Sequence, residues 1–552
     1  MHTRLFNHIK NLLLPCLAFS MAAGFLSALL ITAFKLAAEQ TVHLSSSIYD
    51  AVRATPEWLP LLVLGAGLIG FAASLILSIS NSCKGGGIPT SVAAIRGIVS
   101  LKWVAGAFLL PFSALLTFLC GVPLGTEGPC VQMGTALGDG VVKCLGSKKQ
   151  RAWSRYIMTG GASSGFAIAT SAPITAILFS MEELHKRFSP LLLTVASISV
   201  ITAQATSQAL SSIGIGTTGL FHLPEISAIP TQKLFAPLLV GLVCGLCSVL
   251  FVRFYHFVDN AMRKITQKLS IKVLLPLIFA CVSIIGFFVS DALGSGHSLI
   301  DSLFETHALW YMLILVFLLR AVGMMVSNTA GATGGVFLPT LAFGALVGAL
   351  CAEAMTAIGL IEAEYYLLIL TLGITAFLGA TSRIPVTACV FALEALGGIN
   401  NVLSFIIAVT VAFLTAEASA IEDFTDTMLD VKTNAVRKGK KPVTLEVRLT
   451  VKPDSFVVGK ELCDVLWPSL CTVVSYKKAS ECRESKESKE SDEDCHVEGL
   501  TEGDVITLRY TTYDPAVTAE EIEALVGNQS EEIKRIMLPV PKTAKEAKCK
   551  TL

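Results

Sequence analysis

Apolar stretches recur from residue 11 to about residue 420, and many are interrupted by glycine and proline. The clearer ones cover 11–34, 58–80, 104–124, 157–181, 189–210, 233–252, 272–290, 308–326, 335–360, 365–380 and 402–416. A simple bilayer span needs about 20 apolar residues, and several of these runs are too short or too broken to supply it. Broken helices at membrane depth are tolerated only where backbone lines a cavity or is buried in protein, so the breaks point to a pathway through an all-α polytopic membrane protein.

Composition agrees. Of the 552 residues, 53% are hydrophobic and 15% charged, against about 25% charged in soluble domains, and the excess apolar surface is expected to face a lipid bilayer. The 42 basic and 42 acidic residues balance, which argues against a nucleic-acid partner. The run Leu12–Phe34 after Arg4 and Lys10 exceeds the 7–15 residues or so of a signal-peptide core and reads as a retained first helix, with no cleaved segment. Basic loops at Lys148, Lys149, Arg151 and Arg155, and at Arg253, Arg263, Lys264, Lys268 and Lys272, predict a cytoplasmic face that also holds both termini of a cell-membrane protein. The fifteen cysteines are scattered; Cys244 and Cys247 have CxxC spacing without a second pair or a histidine to complete a metal site. No disulfide framework, metal or cofactor is expected.

The chain repeats itself. Pro173 opens PITAILFSMEEL and Pro385 opens PVTACVFALEAL, matching Thr175 with Thr387, Phe179 with Phe391 and Glu182 with Glu394. Pro129, Gly134 and Gly138 match Pro339, Gly344 and Gly348, and the two offsets, 212 and 210 residues, agree on one period. Two halves, about 11–212 and 233–430, fit a transporter with its site between repeats. This match leaves the relative orientation of the halves open.

Gly125-Thr126-Glu127-Gly128-Pro129 heads an apolar run. A carboxylate is costly at membrane depth and is expected to face a pathway or a partner. Glycines let backbone approach a ligand, and the helix start offers free amides and a partial positive charge, which together make an anion site. Glu127 is then a tethered anion competing with a mobile one, and protonation releases it. Gly85-Gly86-Gly87-Ile88-Pro89 and Gly334-Gly335-Val336-Phe337-Leu338-Pro339 have the same build, and Glu127 and Phe337 each stand two residues before their proline. The expected anion-binding set is Gly85, Gly86, Gly87, Ile88, Gly125, Gly128, Gly335, Val336 and Phe337. No phosphate-binding loop of the GxxxxGK[ST] type occurs, and nothing suggests an enzyme.

These three motifs resemble, in order and spacing, the anion-pathway motifs of the CLC family of chloride channels and chloride/proton exchangers: Gly-Ser-Gly-Ile-Pro, Gly-Arg-Glu-Gly-Pro and Gly-x-Phe-x-Pro. The likeness covers roughly residues 10–430. It implies an inverted-repeat fold, a homodimer with one anion pathway per subunit, chloride and protons as the transported species, Glu127 as the external gating glutamate and Glu183 as the internal proton-transfer glutamate. Glu182 has its counterpart in Glu394, whereas Glu183 aligns with Ala395 and belongs to one half only. The bland alternative makes Glu183 a surface carboxylate paired with His185, Lys186 and Arg187. The sequence departs from the family at Thr126, at Gly86, and at or beside Thr425, where the family has Arg, Ser and an anion-coordinating Tyr. These losses bear on chloride preference and proton coupling. A passive voltage- or pH-gated channel, and an exchanger preferring fluoride or nitrate, are the competing readings.

After the membrane domain (1–432) and a basic linker (433–442), residues 443–528 read as a small α+β cytoplasmic domain: LEVRLTV, CTVVSYK and DVITLRY as strands, KELCDVL as a short helix, AEEIEALVG as a helix ending at Gly527. ECRESKESKESDEDCH reads as a disordered charged loop, and 529–552 as a basic tail. LEVRLTVKPDSFVVGKELCDVLWPSLCTVVSYKK followed by LTEGDVITLRY is similar to the C-terminal lobe of domains that regulate potassium conductance (RCK/TrkA-C), which implies a dimerising module or one sensing an unknown small ligand.

Overall fold

The computed structural model describes residues 13–537 except 86, 217–218, 222–225, 438–442, 454, 463, 469–470, 480–498, 514 and 528–530. Gly86, the expected disordered loop and much of the linker lie outside the described residues. Among the described residues seventeen α-helices build the membrane region: α1 (Leu14–Ala54), α2 (Leu59–Ile79), α3 (Ile88–Ile95), α4 (Leu110–Leu119), α5 (Glu127–Leu145), α6 (Ser154–Thr170), α7 (Pro173–Phe179), α8 (Pro190–Ser212), α9 (Phe235–Thr266), α10 (Ile271–Phe288), α11 (His297–Glu305), α12 (Trp310–Ala330), α13 (Phe337–Ala357), α14 (Tyr366–Ser382), α15 (Pro385–Ala395), α16 (Val402–Glu417) and α17 (Phe424–Arg437). Among the described residues nine helical segments are long and apolar enough to cross a membrane. The first runs well past the expected end at Phe34. Prolines stand in the first turn of α1, α2, α3, α4, α7, α8 and α15, where the missing amide costs no hydrogen bond.

The repeat is visible as packing. Glycines bring α5 against α6 so closely that a methyl on Gly134 would sit 2.0 Å from the Gly161 carbonyl, and in the second half a methyl on Gly344 of α13 would sit 2.7 Å from the Ile374 Cα of α14. The halves also cap each other. The Glu182 carboxylate accepts the backbone amides of Val386 (3.1 Å) and Thr387 (2.7 Å), the first turn of α15. Glu394 accepts those of Ile174 (2.9 Å) and Thr175 (2.8 Å), the first turn of α7. Two repeat-related carboxylates thus cap each other's helices, the favourable place for a negative charge. Gly125 and Gly335, another repeat-related pair, form an antiparallel bridge. Such a bridge between equivalent residues places a local two-fold axis between the halves, as an inverted repeat requires.

Beyond the linker lies a four-stranded antiparallel sheet of order β2-β3-β1-β4, made of β1 (Val443–Thr450), β2 (Cys471–Lys477), β3 (Val505–Thr512) and β4 (Glu531–Met537), with α18 (Pro515–Val526) packed on it. Alternating Leu445, Val447 and Leu449 meet Ile506, Leu508 and Tyr510 in the core. Two expectations change. KELCDVL forms turns rather than a helix among its described residues, because its start is drawn into a pairing: Gly459 N–H donates to Leu500 O (2.8 Å) and Leu500 N–H to Lys460 O (2.9 Å). The sheet also runs past 528, since Glu531–Met537 takes the free edge of β1 in place of a tail.

This lobe docks on the corner between α5 and α6. The Tyr156 hydroxyl donates to Asp464 O (2.8 Å) and accepts from Leu466 N–H (2.9 Å). Arg155 donates to Trp467 O (3.0 Å) and pairs with Glu521 (2.5 Å). Phe456 meets Trp153 edge-on at 5.1 Å between centroids.

Candidate anion pathway

The starts of α3, α5 and α13 converge on one point, where Gly87, Gly128 and Gly335 touch backbone to backbone. A methyl on Gly128 would lie 2.5 Å from the Gly335 Cα and 3.1 Å from the Gly87 Cα, and one on Gly87 would lie 2.9 Å from the Gly128 Cα. Gly87 also has φ +121°, open only to glycine at low cost. Three helix starts therefore aim their partial positive ends at a common place.

Four of the expected amides have protein partners. Gly85 N–H donates to Gly331 O (3.0 Å), Gly125 N–H to Gly335 O and Gly335 N–H to Gly125 O (2.7 Å each). Gly87 N–H donates to Oε1 of Gln132 (2.7 Å), whose Nε2 donates to Ser82 O (2.6 Å). The amides of these four glycines are engaged with protein, and at Gly87, Gly125 and Gly335 the lack of a side chain lets the helix starts meet. Gln132, fully buried on α5, was missed by sequence reasoning; an amide side chain within an apolar helix was its only signal. The amides of Ile88, Gly128, Val336 and Phe337 stand at helix starts, where the first N–H groups have no partner in the helix.

Glu127 is fully buried. Its carboxylate folds back over its own helix start, accepting its own backbone amide and the Thr126 hydroxyl (3.1 Å), and Oε2 lies 2.5 Å from where a Gly125 side chain would begin. A carboxylate thus occupies the helix end that an anion would seek. Phe337, its repeat partner, stands edge-on to Phe166 at 4.9 Å and to Phe391 at 5.8 Å, one ring from each half. Phe166 in turn stacks on Phe179 at 4.3 Å.

Glu183 is 2% exposed, on the π-turn Ser180–His185 that continues α7, and the Thr425 hydroxyl of α17 is hydrogen-bonded to it. Two of the neighbouring bases have other partners. Lys186 pairs with Asp423 and with Asp426 (2.7 Å), and His185 Nε2 meets Thr159 Oγ1 at 2.8 Å. Glu183 is thus a buried carboxylate, not one at the surface. Thr425, expected beside the anion, is hydrogen-bonded to Glu183 across a gap of 242 positions.

A helical membrane fold with two halves bridged at their helix starts and a buried carboxylate at the junction defines a secondary anion transporter or channel. The chain matches the voltage gated chloride channel family over residues 68–417 and belongs to it. It is 27% identical to the H(+)/Cl(-) exchange transporter ClcA of Vibrio cholerae over 403 residues, covering 70% of this chain and 83% of that protein. It is 29% identical to ClcA of Klebsiella pneumoniae over 369 residues, 65% of this chain and 76% of that protein. Among solved structures it is similar to a slow cyanobacterial Cl-/H+ antiporter (TM-score 0.68, 21% identity, 76% of this chain and 98% of that one). It is also similar to a CLC-type fluoride/proton antiporter (TM-score 0.59, 20% identity, 73% and 95%).

Proposed function

We propose that this chain exchanges a small inorganic anion, chloride first, for protons across a cell membrane. The observation that carries the reading is the fully buried Glu127 carboxylate folded onto the start of α5 where three helix starts meet. A mobile anion entering that place displaces the carboxylate, which takes up a proton as it leaves; Glu183 passes the proton to the other side. The first-turn amides of Ile88, Gly128, Val336 and Phe337 receive the anion. The relatives named as H(+)/Cl(-) exchangers support chloride and proton as the pair.

The active unit is a homodimer with one pathway per subunit. The basic loops put the Arg155 corner in the cytoplasm, and with it both termini and the lobe docked there, which serves as a regulatory module like the C-terminal lobe of potassium-conductance regulators.

The experiment is flux in proteoliposomes. The native chain is expected to move protons when driven by a chloride gradient. Glu127→Gln, fixed in the protonated-like state, is expected to pass chloride with no proton movement. Native chloride flux without proton movement would make the chain a channel, and flux of fluoride or nitrate in preference to chloride would change the substrate but keep the mechanism.

A further inference from the structure

Gln132 stands one turn after Gly128 on α5, on the face that meets Gly87. It is fully buried, and its amide works in both directions: Oε1 accepts Gly87 N–H (2.7 Å) and Nε2 donates to Ser82 O (2.6 Å). A carboxylate cannot donate and an ammonium cannot accept, so this pair of bonds calls for an amide. One side chain thus grips both ends of the strap 82–87 between α2 and α3. The strap is held from the second half as well. Thr333 Oγ1 donates to Cys83 O (3.0 Å), and the Ser113 hydroxyl of α4 meets it at 2.7 Å. Gly85 N–H donates to Gly331 O (3.0 Å). Gln132, Thr333 and Ser113 are all buried, and a buried polar network with its partners in place holds a single arrangement.

The three helix starts are not joined alike. Those of α5 and α13 are tied backbone to backbone by the Gly125–Gly335 bridge, which involves no side chain. The start of α3 is tied to α5 by Gln132 and, through the strap, to the second half by Thr333. Gly87 is the pivot. Its carbonyl accepts Thr90 N–H and Ser91 N–H (3.1 Å each) in the first turn of α3, while its own N–H is held by Gln132. The Gln132 side chain therefore sets where α3 begins, and with it the spacing between the Ile88 amide and those of Val336 and Phe337. Gly85, Gly86 and Gly87 bring no side chain to this end of the site, so the spacing of backbone amides is the means it has of telling one anion from another.

We infer that Gln132, with Thr333, is a positioning residue that determines specificity: it fixes the start of α3 against those of α5 and α13 and so sets the size of anion that the converging amides accept. The inference rests on the reading of this point as the anion site. Gln132 acts through the strap. Without its two bonds the start of α3 moves more freely, and the site discriminates less against anions larger than chloride.

The test measures nitrate flux relative to chloride flux for the full-length chain in liposomes, nitrate being the larger anion. Gln132→Met, similar in length but unable to make either bond, is expected to raise the nitrate-to-chloride ratio by about three- to tenfold, the scale of one hydrogen bond. Thr333→Val is expected to move the ratio the same way, and Thr333→Ser, which keeps the hydroxyl, to leave it native. Thr333→Val decides where Gln132→Met does not fold. Glu394→Gln, which weakens a cap away from the strap, is expected to lower stability at a native ratio, and so separates loosening of the site from loosening of the fold. A native ratio in Gln132→Met, with both fluxes lowered by the same factor, makes the network a structural brace and overturns the inference; so does a native ratio in Thr333→Val where that variant must decide. Absence of anion flux in the native chain removes the reading of the site itself, and the inference with it.

Discussion

Gly125 and Gly335, 210 positions apart, exchange two backbone hydrogen bonds of 2.7 Å, each donating to the other's carbonyl. The bridge fixes the relation between the starts of α5 and α13, and with Gly128 and Gly87 it leaves no room for a side chain. Gly128→Ala would put a methyl 2.5 Å from the Gly335 Cα. Backbone cannot yield as a flexible side chain can, so we expect a loss of about 1–3 kcal/mol or more and little transport. Gly65→Ala, which would meet nothing within 4 Å, is the control. Thermal unfolding in detergent checks both.

Removing a reciprocal cap has a different signature. Glu182→Gln or Glu394→Gln weakens the hold on two backbone amides and is expected to cost about 1–3 kcal/mol. The ratio of protons to anions transported should stay native in the folded fraction, because neither carboxylate lies on the proposed proton route. A changed ratio would place Glu182 in the mechanism.

Much of this was legible in the sequence. A proline followed nine residues later by a glutamate, twice in one chain, marked Glu182 and Glu394 as shared structure and Glu183 as the odd one out. The three glycine-rich helix starts were legible because glycine before proline is the local signature of a helix start. What the glycines do there was not. Whether an amide is free depends on Gly331 for Gly85 and on Gln132 for Gly87, partners far along the chain that no local pattern names. Thr425 was picked out for its place in a motif, and its contact with Glu183 is a tertiary fact. In the lobe, KELCDVL carries a helical pattern that the pairing of Gly459 and Lys460 with Leu500 overrides.

The docking of the lobe should depend on pH through Lys460. Burial pushes its ammonium down to about 7, while the faces of Phe456 and Trp153, 3.2 and 5.6 Å away, offset part of that cost. A free lysine titrates near 10.4. The docked state therefore gains nothing from Lys460 below about pH 7 and gains as pH rises above it, so docking strengthens from pH 7 to pH 9. Hydrogen exchange at residues 456–467 is expected to be slower, after correction for the intrinsic rate, at the higher pH. Lys460→Met should abolish the dependence, and native protection independent of pH would contradict it.

Tyr156 is the hinge pin of the same contact. Tyr156→Phe removes both the donor to Asp464 O and the acceptor for Leu466 N–H, at a cost of about 1–3 kcal/mol. Limited proteolysis should cut the linker at 433–442 faster in this variant than in the native chain. An unchanged rate would mean that Arg155 and the aromatic contacts hold the lobe without it.

The central claim is that a buried carboxylate, Glu183, carries protons against a moving anion. The most direct measurement places the purified chain in liposomes with a chloride gradient and no proton gradient, and follows internal pH for the native chain and for Glu183→Gln. Proton movement driven by chloride in the native chain and lost in the variant, with chloride flux retained, is the predicted result. Chloride flux without proton movement in either chain, or proton movement undiminished in Glu183→Gln, would contradict it.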